Sequence, residues 1–187
     1  MNRYFTTNVL RMFQNRKIYI CTLGMALTLY MSGIAFIRTN GDSANLQDAF
    51  SVVSSSGFII LFYLLCVIGG GLSYCEDCNS GFTRYAVVRG DAKKYIRGHL
   101  FSAALGGCAS MLGGMALYEL LMIFTLWPIK GSFYAMFLQN HAYFIQNIWN
   151  ALLLSLLGAV LAGLAMTVTA CIPNIFVGTA MPILIYY

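Results

Sequence analysis

The run IYICTLGMALTLYMSGIAFI at residues 18–37 contains no charged side chain and lies between Lys17 and Arg38. A helix needs about 20 apolar residues to cross the hydrocarbon core of a bilayer. The run is too long for the apolar core of a signal peptide, and no small-residue cleavage site follows it. It therefore predicts a first membrane span over residues 18–37.

The composition of the whole chain agrees with a location in lipid. Of 187 residues, 59% are hydrophobic and only 9% are charged. A soluble domain carries about 25% charged residues, which cover its surface. This inventory excludes soluble enzymes, soluble nucleic-acid-binding modules and disordered tails.

Three further apolar stretches and one shorter stretch lie between the remaining charges. The class expected is an all-α membrane protein, a polytopic transmembrane helix bundle of about five spans in one domain over residues 1–187. After the first span, the predicted spans cover residues 52–75, 98–127, 147–172 and 175–187. The last stretch reaches only about 20 Å as a helix, so we expect it to be incomplete. Either a partner covers that end or the chain is part of a longer protein.

The basic residues indicate the orientation of the bundle. Four of the eleven precede the first span, and five more lie together in residues 84–97. Both segments share one side of the membrane if the spans alternate, and an excess of Lys and Arg marks the cytoplasmic side. We expect a multi-pass protein of the cell membrane with a cytoplasmic N-terminus. The positive charge is interpreted as topology, so no nucleic-acid partner is expected.

Residues 3–17 predict an amphipathic helix in the membrane interface. Phe5, Val9, Met12 and Phe13 recur at helical spacing, while Arg11 takes another face. Basic amphipathic helices next to a span commonly lie in the interface plane. The alternative is a frayed, positively charged tail.

Small residues recur every four positions along two of the predicted spans, and such rows let helix backbones approach closely. We expect helix packing at Ser102, Gly106, Ser110 and Gly114 in one span and at Ser155, Ala159 and Gly163 in the other.

The sequence carries no set of residues for catalysis or for metal binding. Cys75 and Cys78 form a lone C-x-x-C, whereas a structural zinc site needs four ligands. Metalloprotease, serine-hydrolase and P-loop motifs are lacking. We therefore expect no enzyme activity and no cofactor in this chain.

Glu119 is the one carboxylate inside a predicted span. An ionisable residue within the membrane marks a functional position by default. Glu119 either faces a water-filled translocation path or has a structural role, paired with an outer group such as Lys130 or His141.

The longest charged stretch, residues 76–97, is expected to be a cytoplasmic loop with a short amphipathic helix over residues 82–88. This stretch has a characteristic order of residues. It begins with an acidic residue and a glycine, continues with a short basic helix and a second basic residue next to a glycine, and ends with a tyrosine that opens the next span. These positions are Glu76, Gly81, Arg84, Arg89-Gly90 and Lys94-Tyr95. In this order the sequence resembles the permease subunits of ATP-binding-cassette transporters, in the type-2 family of exporters. A solvated anchoring loop is the alternative.

The resemblance implies a function for this loop. It implies that the loop couples the permease to a separate ATPase subunit, which binds ATP and Mg²⁺, and that a second permease copy completes the transporter. The implied coupling residues are Glu76, Gly81, Arg84, Tyr85, Val87, Val88, Arg89 and Gly90. Peptides or other amphipathic small molecules are the expected cargo. The alternative function is a non-transporting membrane bundle, such as an immunity or regulatory protein that binds a partner.

Overall fold

The computed structural model describes residues 2–40, 58–83, 92–130 and 141–186, and these ranges fold as helices with no strand among them. The helices are α1 (Asn2–Gln14), α2 (Arg16–Asn40), α3 (Phe58–Gly70), α4 (Ser73–Asn79), α5 (Ala92–Lys130), α6 (His141–Cys171) and α7 (Ile175–Tyr186). The described part of the chain is thus the all-α bundle that its composition predicts.

Three of these helices are long and apolar enough to cross a membrane. The qualifying segments are Arg16–Phe36 in α2, Ala92–Thr125 in α5 and Ile145–Cys171 in α6. The bent pair α3–α4 makes a fourth if it counts as one span. These helices identify a membrane protein. The count of five spans stays a prediction.

The second predicted span is broken within its described part, residues 58–75. α3 ends at Gly70, and α4 begins at Ser73 after a bend of 51°. Three consecutive glycines, Gly69 to Gly71, weaken the helix here, because glycine has a low helix propensity. The glycines also allow close packing: a Cβ on Gly70 would lie 2.5 Å from the backbone nitrogen of Gly107 in α5. Residues 52–57 of this predicted span lie outside the described residues.

The buried core is rich in methionine and lies among α2, α3, α5 and α6. α5 packs most extensively along α6, and it also contacts α2 and α3. Methionine is flexible and fills irregular gaps between helices. Core residues include Met25 and Leu29 of α2, Phe62, Tyr63 and Val67 of α3, Met111, Met115, Tyr118 and Met122 of α5, and Leu161 of α6.

The closest crossing of α3, α5 and α6 is built from residues without large side chains. The Sγ of Cys66 in α3 lies 3.4 Å from the carbonyl oxygen of Gly107 and 3.5 Å from that of Gly158. A Cβ on Gly107 would stand 2.6 Å from the carbonyl oxygen of Gly158. Glycine at these positions therefore sets the distance between α5 and α6.

The outer faces of the long helices are apolar and exposed. Less than half of each apolar segment is buried inside the bundle. A continuous apolar face of this size is unfavourable in water and suits a lipid environment. Such exposed residues are Ile20, Leu23, Leu27 and Met31 on α2 and Leu152, Leu153, Leu156 and Val160 on α6.

The C-terminal helix α7 is short and follows a sharp turn. α6 ends at Cys171, and the side-chain oxygen of Asn174 accepts a hydrogen bond of 2.9 Å from the backbone N–H of Phe176. This bond caps the first turn of α7. α7 then packs against α6 and α3.

Substituting Gly107 should destabilise the bundle more than an equivalent change on the open side of α6. Gly107→Ala brings a methyl group into the α5–α6 crossing, so we expect a loss of about 1–3 kcal/mol in the free energy of unfolding. Gly163→Ala is the matched control, because the nearest side-chain atom to its new Cβ is 3.8 Å away. Unfolding in detergent micelles, followed by circular dichroism, measures both. Equal stability of the two variants would contradict the close packing of α5 and α6.

Candidate functional site

A buried carboxylate lies where α1, α4 and α5 meet. Asp77, in the short helix α4, is 6% exposed. Arg11 of α1 approaches it with two parallel hydrogen bonds, Nη1 to Oδ2 at 3.2 Å and Nη2 to Oδ1 at 3.0 Å. This is the bidentate geometry for which the planar guanidinium is suited. Asp77 and Arg11 therefore fasten α1 onto α4.

Two side chains of α5 complete the surroundings of this carboxylate. The hydroxyl of Tyr95 donates a hydrogen bond of 3.0 Å to Oδ2 of Asp77, and Nε2 of His99 lies 3.3 Å from the same oxygen. Tyr95 and His99 are four residues apart, so they share one face of α5. We call these four residues, Arg11, Asp77, Tyr95 and His99, the Asp77 junction.

The electrostatics of the Asp77 junction favour an ionised pair. A buried carboxylate is costly unless it is paired and hydrogen-bonded, and Asp77 has both kinds of partner. The hydrogen bond to Asp77 raises the pKa of the Arg11 guanidinium, while partial burial acts in the opposite direction. Arg11 is therefore held as a cation beside the Asp77 carboxylate.

Aromatic rings surround the junction. The ring centroid of His99 lies 4.6 Å from that of Tyr95 and 5.5 Å from that of Tyr74, both in edge-to-face geometry. The guanidinium carbon of Arg11 lies 5.1 Å from the ring centroid of Phe82. These contacts shield one side of the ion pair from water and strengthen it.

A second ion pair ties the corner between α1 and α2 to α4. Lys17 Nζ pairs with Oε1 of Glu76, and both side chains are well exposed to solvent. The side-chain oxygen of Asn15, between the two helices, accepts a hydrogen bond of 3.1 Å from the backbone N–H of Lys17. Two neighbouring carboxylates of α4 are thus paired with cations on either side of this corner, Glu76 with Lys17 and Asp77 with Arg11. The buried pair at Asp77 is the stronger one.

Of the predicted coupling residues, the structure places two, and both lie at α4. Glu76 pairs with Lys17, and Gly81 ends α4 with a positive φ of 74°. Glycine adopts this left-handed conformation at no steric cost, so it stops the helix where the loop begins. The other predicted coupling residues, Arg84, Tyr85, Val87, Val88, Arg89 and Gly90, lie outside the described residues.

The two predicted rows of small residues differ in how deeply they are buried. Ser102, Gly106, Ser110 and Gly114 of α5 are all buried inside the bundle. In α6 the buried small residues are Ser155, Gly158, Ala162 and Ala165, whereas the predicted Ala159 and Gly163 are half-buried. The α6 contact row is therefore rotated slightly from the predicted one.

Other residues considered for chemistry are scattered. Glu119 is half-buried in α5 and has no ion-pair partner among the described side chains. Cys75 is buried and Cys78 is half-buried, and both are free thiols. Within the described ranges, no three His, Cys, Asp or Glu side chains are grouped as a metal would require.

The sequence does not single out Asp77, although it draws attention to its neighbour Glu76. The sequence feature that could have indicated Asp77 is the pair of adjacent carboxylates at the end of an apolar run. A helix directs two adjacent side chains to different sides, so the two carboxylates have different surroundings. The sequence predicts Arg11 on a polar face of the N-terminal helix; in the structure its side chain stays partly exposed to solvent while its guanidinium pairs with Asp77.

No protein-family model, no curated protein and no solved structure matches the chain. The geometry of the Asp77 junction and the placement of charges around it are therefore the grounds for assigning a function.

Removing the charge of Asp77 should cost far more stability than removing that of Glu76. Asp77→Asn leaves the bidentate Arg11 without its anion, so we expect a loss of about 1.5–3 kcal/mol in the free energy of unfolding. Glu76→Gln breaks an exposed pair and should cost at most about 1 kcal/mol. Thermal unfolding at neutral pH measures both variants in the same detergent. A loss at Glu76 as large as that at Asp77 would contradict the account.

Proposed function

We propose that this chain is the permease subunit of an ATP-binding-cassette exporter, which forms the path across the membrane and is driven by a separate ATPase subunit. The observation that carries the proposal is the Asp77 junction. It fastens the start of the charged loop to the N-terminal helix α1 and to the long helix α5. A loop that receives force from a partner needs such an attachment, whereas a solvated anchoring loop does not.

The distribution of charge supports a cytoplasmic location for this end of the bundle. α1 packs against α5, and the ion pairs of Arg11 and Lys17 bring the corner between α1 and α2 to α4. The exposed side chains of Lys93, Lys94 and Arg97 lie in the first turns of α5. Basic residues gathered at one end of an apolar bundle mark its cytoplasmic side. The chain then lies in the cell membrane with its N-terminus in the cytoplasm.

The loop itself would dock on the ATPase. In this proposal Arg84 and Arg89 contact acidic groups of the partner, while Tyr85, Val87 and Val88 supply apolar contact. ATP and Mg²⁺ are bound by the ATPase and not by this chain. Residues 76–79 and 92–97 of the predicted loop belong to the helices α4 and α5, so the segment between them is anchored in this chain at Gly81, after α4, and at Ala92, where α5 begins.

Coupling follows from the rigidity of this attachment. A displacement of α4 would be carried by the Arg11–Asp77 pair to α1 and by the Tyr95–Asp77 hydrogen bond to α5. Since α5 contacts α2, α3 and α6, its movement would reach most of the bundle. Closure of two ATPases would thereby move two permease copies between inward-open and outward-open states.

The cargo is proposed to be a peptide or another amphipathic small molecule. The described spans offer an apolar wall with few polar groups, which suits such a molecule. Glu119, half-buried in α5 without an ion-pair partner among the described side chains, is the candidate polar position on the path.

Purification from the native host membrane tests the proposal. The tagged chain is extracted in a mild detergent, and co-purifying proteins are identified by mass spectrometry. We expect an ATPase with a P-loop to co-purify with the unaltered chain. Arg89→Glu should reduce its recovery at least tenfold, because the substitution reverses a charge at the docking surface.

The matched control is Arg38→Glu, a charge reversal at the far end of α2, where Arg38 is exposed. It should leave recovery of the ATPase unchanged. The proposal is contradicted if no such ATPase is recovered even after crosslinking through the loop, or if Arg89→Glu retains it in full. The first of these outcomes would favour a non-transporting bundle.

A further inference from the structure

A cavity with a polar lining lies between α1, α4 and α5, beside Asp77. Its volume is about 70 Å³, and it is partly open to solvent. Of the nine described side chains that line it, only that of Met12 is apolar, although the chain as a whole is 59% hydrophobic. The polar lining includes Asn8 of α1, Ser73 and Asp77 of α4, and His99 and Ser102 of α5.

Two of the lining side chains are deeply buried and carry a polar atom without a hydrogen-bond partner among the described residues. Asn8 is 8% exposed, and its Nδ2 makes no hydrogen bond. His99 is 3% exposed; its Nε2 lies 3.3 Å from Oδ2 of Asp77, whereas its Nδ1 makes no hydrogen bond. Buried polar groups are nearly always satisfied, by protein or by ordered water. One polar atom from α1 and one from α5 therefore require a partner at this cavity.

The charges around the cavity show that its occupant needs no charge of its own. Arg11 pairs with Asp77, and Lys17 pairs with Glu76, so the cations and carboxylates at this corner balance one another. A balanced site gives no electrostatic advantage to a free anion or to a metal ion.

The hydrogen-bonding capacity of the lining defines the occupant further. The amide nitrogen of Asn8 can only donate, whereas the hydroxyl of Ser102 already donates to the backbone carbonyl of His99 at 3.0 Å and so keeps its oxygen free to accept. An occupant must therefore accept from one side chain and donate to another. Water does both, and a polar cavity of this volume has room for more than one water molecule.

We propose that this cavity is a binding site for ordered water, which bridges Asn8 of α1 to His99 and Ser102 of α5. The proposal does not depend on an ATPase partner, because every group involved belongs to this chain. It can therefore hold whether or not the chain is an exporter subunit.

The water site would divide the contact between α1 and α5 into two parts. Met12 makes the dry part, since a Cβ on Gly106 would lie 2.7 Å from its Sδ. Asn8 lies one helical turn before Met12 on the same face of α1, and it makes the hydrated part. Water-mediated hydrogen bonds are nearly as favourable as direct ones, so the bridge supports the attachment that Arg11 provides at Asp77.

Pulsed radiolysis of the full chain in lipid nanodiscs tests the proposal. Radiolysis of a bound water molecule produces hydroxyl radicals at its own site, and these oxidise a neighbouring methionine to its sulfoxide. Met12 lines the cavity and is buried, while Met111 and Met122 are buried in the apolar core. Mass spectrometry should show sulfoxide forming severalfold faster at Met12 than at the two core methionines.

A variant that fills the cavity provides the matched comparison. Ser73→Leu adds an apolar side chain to the lining from α4, so it should reduce the oxidation of Met12 severalfold. Gln14→Leu introduces the same side chain at an exposed position of α1 outside the lining, and it should leave the oxidation of Met12 unchanged.

Nuclear magnetic resonance of the unaltered chain keeps the test decisive if Ser73→Leu does not fold. The side-chain amide of Asn8, identified by its loss in Asn8→Leu, should exchange magnetisation with a slowly exchanging water molecule, whereas the exposed amide of Asn174 should contact bulk water alone. The proposal is overturned if Met12 is oxidised no faster than the core methionines, if Ser73→Leu behaves like its control, or if the Asn8 amide has no bound water.

Discussion

The architecture at the α1 end of this bundle depends on the pairing of one buried carboxylate. Asp77 is almost inaccessible to water, yet two hydrogen bonds from Arg11 and one from Tyr95 satisfy both of its oxygens. Without these partners the charge could not be buried, because desolvation would exceed any gain from packing. This pairing links α1, the short helix α4 and the first turns of α5, beside the apolar packing of Met12 against Gly106.

Much of the helical framework could be predicted from the sequence, because lipid imposes a simple rule. An uncharged run of about 20 residues must form a helix to satisfy its backbone. The predicted span over residues 18–37 accordingly lies within α2, and the one over residues 147–172 coincides with most of α6. The break between α3 and α4 was not predicted. The three glycines from Gly69 to Gly71 weaken the helix there, but the close contacts of Gly70 with α5 and of Gly71 with α6 are not visible in the local sequence.

The candidate site was predictable only in part, for a similar physical reason. Glu76 and Gly81 were named as coupling residues from the order of residues along the chain, and their coupling role stays a prediction; the structure places both at α4, Gly81 with a positive φ just after it. Asp77 was not identified, because its role comes from partners that are distant in sequence: 66 residues separate it from Arg11, and 18 separate it from Tyr95. Adjacent carboxylates look alike in a sequence. Packing alone makes Asp77 a structural centre and leaves Glu76 in an exposed ion pair.

The most direct test of the account is to ask in living cells what touches the loop. A photo-crosslinking amino acid in place of Val88 would report its neighbours, and the same amino acid in place of Leu153, on the exposed apolar face of α6, is the control. The account predicts a crosslink from position 88 to a P-loop ATPase and none from position 153. Crosslinks from position 88 to lipid alone, or to another copy of this chain alone, would contradict it.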